Sequence, residues 1–404
     1  MQDISPQETP RRTPPLAVFW IFLKLGCTSF GGPIAHLGYM RHEFVGRRRW
    51  LDEHAYADLV ALCQFLPGPA SSKLGIALGI ARAGLPGGFA AWLGFTMPSA
   101  LAMILFALSF ERFGFSTQAG WLHGLKVVAV AVVAQAVLGM GRTLCPDRFR
   151  ASLAVAATVI VIAWPTAAGQ ILAIAIGALL GWRYLRPVNL ELAPGLSFAI
   201  GHRTAIAAWI LFFALLILLP IAVTLTADHT LALFDSFYRA GSLVFGGGHV
   251  VLPLLRNAVV PAGWITDDAF LAGYGAAQAV PGPLFTFAAY LGAAMDLPPT
   301  GIAGGLVCLV AVFLPAFLLT IGALPFWEAL RRRPSIQRAL QGINAAVVGI
   351  LLAALYDPVW TSSIRSTGDF ALALVAFSLL IFWNQSPLRV VMFTALGGAV
   401  LALF

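Results

Sequence analysis

Apolar residues fill this chain in long runs, and glycine, proline and arginine punctuate them. The runs 87–110, 119–141, 204–227 and 300–326 reach the roughly 20 residues that a helix needs to cross the hydrocarbon of a bilayer. Two further runs are interrupted: 16–40 at Gly31-Gly32-Pro33 and 54–82 at Pro67-Gly68-Pro69. Glycine and proline inside an apolar run predict helices broken within the membrane, folded either as re-entrant hairpins or as kinked crossings. Residues 151–182 read as two short helices turning at Trp164-Pro165; 367–383 and 388–404 read as another pair, turning near Asn384-Gln385-Ser386-Pro387. Periodicity of strand type is lacking, so the fold class is an all-α polytopic membrane protein.

The punctuation occurs twice. Phe30-Gly31-Gly32-Pro33, Trp50, Gln64 and Pro67-Gly68-Pro69 find echoes in Phe245-Gly246-Gly247-Gly248, Trp264, Gln278 and Pro281-Gly282-Pro283, at offsets of 215 and then 214. Gly87-Gly88 and Pro98 find Gly304-Gly305 and Pro315 at 217, and Gly124 finds Gly342 at 218. So regular a spacing marks a duplication. Paired halves with broken apolar segments are the mark of a secondary transporter whose site lies at the breaks. The division this implies is a cytoplasmic tail, 1–15, without a removable signal peptide; a first repeat, 16–186; a linker with one transmembrane helix, 187–229; and a second repeat, 230–404.

Arginine placement predicts that the repeats are inverted. Loop 41–54 holds Arg41, Arg47, Arg48 and Arg49, whereas its counterpart 255–268 holds only Arg256. Stretch 111–118 holds only Arg112, whereas 328–338 holds Arg331, Arg332, Arg333 and Arg338. Cytoplasmic loops concentrate arginine, so a bias that reverses at matched loops requires opposite orientations. The same loops account for the net charge of +8 without nucleic acid as a partner. Charged residues are only 10% of the chain against 59% hydrophobic, which excludes an ordinary soluble domain.

The candidate chemistry sits around the breaks. A half-helix N-terminus offers free N–H donors and about half a positive charge, and at mid-bilayer that is an anion site. Gly31 and Gly32, Pro67, Gly68 and Pro69, Gly246 and Gly247, and Pro281, Gly282 and Pro283 would place four such ends together. The chain has three lysines, Lys24, Lys73 and Lys126, all within apolar segments. Lys24 and Arg239 occupy matched positions six residues before the two Phe-Gly-Gly motifs, and Lys73 with Ser71 and Ser72 follows the first Pro-Gly-Pro, where the second repeat has Thr286. Cations, hydroxyls and amides suit a tetrahedral oxyanion. Gln64 and Gln278 can bond either that anion or the broken backbone. His36, Asp58 and His249 are candidates for ion coupling, although local packing explains them as readily, and Asp235 one turn before Arg239 suits a simple ion pair. Neither histidines nor cysteines are spaced for a metal, and nucleophile–base pairs and phosphate-binding loops are lacking, so we expect no metal, no cofactor and no enzymatic activity.

At these motifs the chain resembles the chromate ion transporter family in its long, two-repeat form, over nearly the whole sequence. Gln-x-x-Pro-Gly-Pro after a tryptophan, seen twice, carries the resemblance. It departs at Gly248, where the first repeat has Pro33, and the second repeat lacks a counterpart of Lys73. What the resemblance implies is export of chromate from the cytoplasm across a bacterial inner membrane, with sulfate as a competing analogue. The residues alone support an anion carrier for chromate, sulfate or another oxyanion, or a channel of the same architecture, embedded in membrane lipid, with a homodimer as the expected assembly.

Overall fold

The computed structural model describes residues 13–30, 32–113, 120–187, 198, 200–245, 250–327 and 333–402. Its secondary structure among these is helical throughout. Five apolar helical stretches are long enough to cross a membrane: Ala70–Ser109, Gly120–Leu144, His202–Thr226, Gly301–Phe326 and Pro334–Ser363.

Each half begins with two pairs of helices. In the first, α1 (Pro15–Thr28) is followed by α2 (Gly32–Arg41). Phe22, midway along α1, stacks on Phe44, just beyond α2, at 5.1 Å. In the next, α3 (Glu53–Phe65) leads through Pro67-Gly68-Pro69 into α4 (Ala70–Phe113). Arg82 lies over the Trp50 ring at 4.9 Å, so this segment returns to its starting level. There α4 turns sharply at Ala83 and Gly84, where φ at Gly84 is +65°. The turn sets Gly79 against Gly87, and a Cβ on Gly79 would lie 2.2 Å from the Gly87 carbonyl oxygen. Only glycine permits so close an approach.

The second half repeats this order. Helices α9 (His229–Leu243) and α10 (Val251–Val259) form one hairpin, closed at its base by His229 against Trp264 at 5.0 Å. Helices α11 (Asp267–Ala277) and α12 (Phe287–Ala294) form the other, where Tyr290 Oη donates to the Ala269 carbonyl at 2.9 Å. Between α12 and α13 (Gly301–Ala323), Gly292 and Gly304 repeat the close glycine contact. At the break 66–69 and at its echo 278–286 the chain thus doubles back.

The remaining helices are exchanged between the halves. The pair α6 (Arg148–Ala163) and α7 (Ala167–Tyr184) packs on α14 (Pro334–Ala354) of the second half. The pair α15 (Thr367–Ile381) and α16 (Pro387–Leu401) packs on α5 (Gly120–Leu144) of the first. Glycine makes both contacts close: a Cβ on Gly342 would meet the Gly177 carbonyl at 1.9 Å, and one on Gly124 the Thr394 carbonyl at 2.1 Å. Helix α8 (His202–Thr226) joins the halves and leaves Ile206, Ile210, Ile217 and Leu225 exposed, the character of a lipid-facing crossing.

Polar residues mark the helix ends. Asp52, Asp147, Thr166, Asp228, Thr266 and Ser366 cap α3, α6, α7, α9, α11 and α15 through their side chains. At the base of the first hairpins Glu43 accepts from Arg48 Nε at 2.6 Å and Arg47 Nη1 at 3.1 Å. Burial alone would raise the Glu43 carboxyl, but the two guanidinium bonds outweigh it and hold it below the usual range.

Candidate functional site

The four tips meet across the halves. Gly68 N–H donates to the Val244 carbonyl at 2.6 Å, and Gly282 N–H donates to the Ser29 carbonyl at 2.9 Å. The two bonds are counterparts, since Val244 stands 215 residues after Ser29 and Gly282 stands 214 after Gly68. Each Pro-Gly-Pro tip therefore docks on the other half's Phe-Gly-Gly break. Gly68 and Gly282 share a left-handed φ, +101° and +100°, which turns the amide outward at the tip and excludes side chains. Gly68, Pro69, Gly282 and Pro283 are buried, and Pro67 and Pro281 are partly so. Broken backbone is tolerated at membrane depth only inside protein or beside water, and here each tip is paired with the opposite half.

The other sequence-predicted residues divide into those at the tips and those outside. Lys73 is fully buried, and its Nζ donates to the carbonyls of Leu66 and, at 3.1 Å, Pro67. The ammonium thus neutralises the carbonyl end of α3, whose last groups have no helical partner. Ser71 and Ser72 are buried in the first turn beyond the tip. Thr286 is buried at the matched position and caps its own turn, donating to the Pro283 carbonyl at 2.8 Å. His36 is 1% exposed, with Nδ1 3.4 Å from Ser71 Oγ. Gln278 reaches the Tyr274 carbonyl at 3.4 Å, whereas Gln64 is exposed. Gly32 takes a left-handed φ of +77° at the start of α2.

Lys24 and Arg239 are not drawn into the tips. Lys24 is exposed on α1, and Arg239 Nε donates to both carboxylate oxygens of Asp235, at 2.8 and 2.9 Å. Lys126 is also committed elsewhere: its buried ammonium meets Asp268 of α11 at 2.7 Å, a charged bridge between the halves. Gly31, Gly246, Gly247 and His249 lie outside the described residues, as does the side chain of Asp58. Among the described residues, groups of three or more side chains able to hold a metal are absent.

Residues not singled out from the sequence complete the first tip's surroundings. Ser29 and Thr96 are each 1% exposed, and Ser99, equally buried, donates to the Thr96 carbonyl at 3.0 Å. A Cβ on Gly282 would lie 2.7 Å from Ser99 Oγ and 3.2 Å from the Phe95 carbonyl oxygen. Among the described residues the hydroxyls of Ser29, Ser72 and Thr96 have no hydrogen-bond partner. Single hydroxyls in apolar runs carry no motif. The signal that could have found them is the mismatch between repeats, because Val244, Phe313 and Ala316 stand where Ser29, Thr96 and Ser99 would recur.

Comparison with known proteins adds a family. The family described as chromate transporter matches residues 16–182 and again 231–402. A chromate transport protein of Pseudomonas aeruginosa is 31% identical over 402 residues, covering 96% of this chain and 92% of its own length. A chromate transport protein of Cupriavidus metallidurans is 29% identical, with 94% and 91% covered. A probable chromate transport protein of Synechococcus elongatus is 27% identical, with 94% and 93% covered. No solved structure matches the chain.

Proposed function

The chain belongs to the chromate transporter family, and on that premise we propose that it exports chromate from the cytoplasm across a bacterial inner membrane by alternating access. The observation that carries this reading is the reciprocal docking of tips, Gly68 on Val244 and Gly282 on Ser29. Two inverted halves joined by two equivalent, separable contacts can release one while holding the other. Each release uncovers broken backbone and its N–H groups on one side of the membrane only. A tetrahedral dianion matches such donors, and sulfate shares its shape and charge.

The membrane potential supplies a direction. With the cytoplasm negative, an exported charge gains about 2.3 kcal/mol per 100 mV, so a dianion gains about 4.6 kcal/mol. Export needs no other driving ion, whereas uptake would require one. Purified protein in vesicles with an imposed potential tests this. Saturable chromate flux that follows the potential, competes with sulfate and supports counterflow is expected. Flux indifferent to potential would remove the electrogenic mechanism, and channel-like currents would replace the carrier.

A further inference from the structure

The two tip contacts are equivalent in backbone and opposite in chemistry. On the elements that meet at the contact of Gly282 with Ser29 stand Ser29, His36, Ser71, Ser72, Thr96 and Ser99, all buried. Around the contact of Gly68 with Val244, the matched positions are Val244, Val251, Phe285, Thr286, Phe313 and Ala316. Five of the six polar residues are thus replaced by apolar ones. Phe285 and Phe313 pack at 5.9 Å between ring centres, 1% and 0% exposed. The sole hydroxyl kept there, Thr286, is satisfied by the Pro283 carbonyl.

On the polar side three hydroxyls remain unsatisfied: Ser29 Oγ, Ser72 Oγ and Thr96 Oγ1. Each is at most 2% exposed. A serine or threonine in a helix ordinarily bonds a carbonyl one turn back, as Thr320 and Thr394 do here. An orphaned buried hydroxyl is costly, and three on elements that meet at one break call for a ligand. Contacts tie these elements together. His36 lies 3.4 Å from Ser71 Oγ and stands edge-on to Phe95 at 5.3 Å, Gly282 donates to the Ser29 carbonyl and sits against Phe95 and Ser99, and Ser99 donates to the Thr96 carbonyl.

We propose that the oxyanion binds off the pseudo-symmetry axis, at the hydroxyl cluster of Ser29, Ser72 and Thr96 in the first half, and that the mirror cluster is an apolar plug that never takes substrate. This deepens the transporter reading and rests on it. The site is built of neutral hydroxyl donors. The nearest buried cation, Lys73, is spent on carbonyls and sets the local field rather than grasping the anion. In the structure the second tip covers the cluster through the Gly282–Ser29 bond, so lifting that tip admits substrate. The Phe285–Phe313 side serves as the hinge partner. One dianion per chain follows.

The test uses full-length protein in nanodiscs, with binding of radiolabelled sulfate and of chromate read directly and thermal unfolding read with and without anion. Ser72→Ala and Thr96→Val each remove an orphan hydroxyl with little change of shape. Each should weaken chromate binding about tenfold or more, as loss of a hydrogen bond to a charged group does. Each should also leave the empty protein at least as heat-stable as wild type and shrink the stabilisation that chromate confers. The mirror substitution Phe313→Leu should leave affinity within about twofold. Wild-type affinity in both hydroxyl variants, or an equal loss in Phe313→Leu, overturns the off-axis site while leaving an oxyanion carrier in place. Wild-type protein that binds neither chromate nor sulfate overturns the carrier reading and the site together.

Discussion

Replacing each tip glycine by alanine separates backbone strain from lack of space. Both glycines hold a left-handed φ near +100°, so alanine meets the same strain at each, about 1–2 kcal/mol. Restricting the unfolded chain returns about 0.4–1 kcal/mol in both cases. The surroundings then differ. At Gly68 the new methyl finds Ala316 Cβ and the Gly241 carbonyl oxygen at 3.6 Å, an ordinary contact. At Gly282 it meets Ser99 Oγ at 2.7 Å, and crowding of this kind adds about 1–3 kcal/mol. Gly68→Ala should therefore cost about 1 kcal/mol and Gly282→Ala about 2–4 kcal/mol. Thermal unfolding in detergent ranks the two, and vesicle flux shows whether loss of docking follows loss of stability. Adding Ser99→Ala to Gly282→Ala removes the atom in the way and should recover about 1 kcal/mol, since the sites touch. Equal damage from both alanines, or no recovery with Ser99→Ala, would refute the steric account of the tips.

Two further outcomes follow from charges already described. Lys73→Met leaves the Leu66 and Pro67 carbonyls unpaired, so it should cost about 2–3 kcal/mol in an unfolding assay and suppress chromate flux. Glu43 predicts a pH dependence: its folded carboxyl titrates below its ordinary value near 4.5, so its contribution is complete above that value and lost as pH falls through the folded one. A thermal-unfolding series from pH 6 downward should show this acid loss in wild type and a shallower slope in Glu43→Gln. Equal slopes would detach Glu43 from the hairpin base.

Much of this architecture was legible in the apolar runs. The crossing read at 300–326 is α13 at Gly301–Ala323, the pair turning at Trp164-Pro165 is α6 and α7, and the break between 82 and 87 is the turn at Ala83–Gly84. Glycine and proline are local signals, and they located the tips. Partners were not legible, because they depend on packing between residues some two hundred positions apart. Lys73 follows the break as the motif implies, yet nothing local says that its ammonium turns back to α3. Arg239 lies where a substrate cation would recur, but Asp235 one turn earlier claims it. Ser29 and Thr96 gain meaning only once Gly282 is seen resting among their neighbours.

The exchange of terminal helix pairs bears on biogenesis. When the first half leaves the ribosome, the Gly124 face of α5 and the carbonyl of Ser29 await surfaces that synthesis has not yet made. Helices α6 and α7 meanwhile wait for α14. Neither half completes its native packing alone, so the surfaces of the first are covered only once the second has been synthesised and docked.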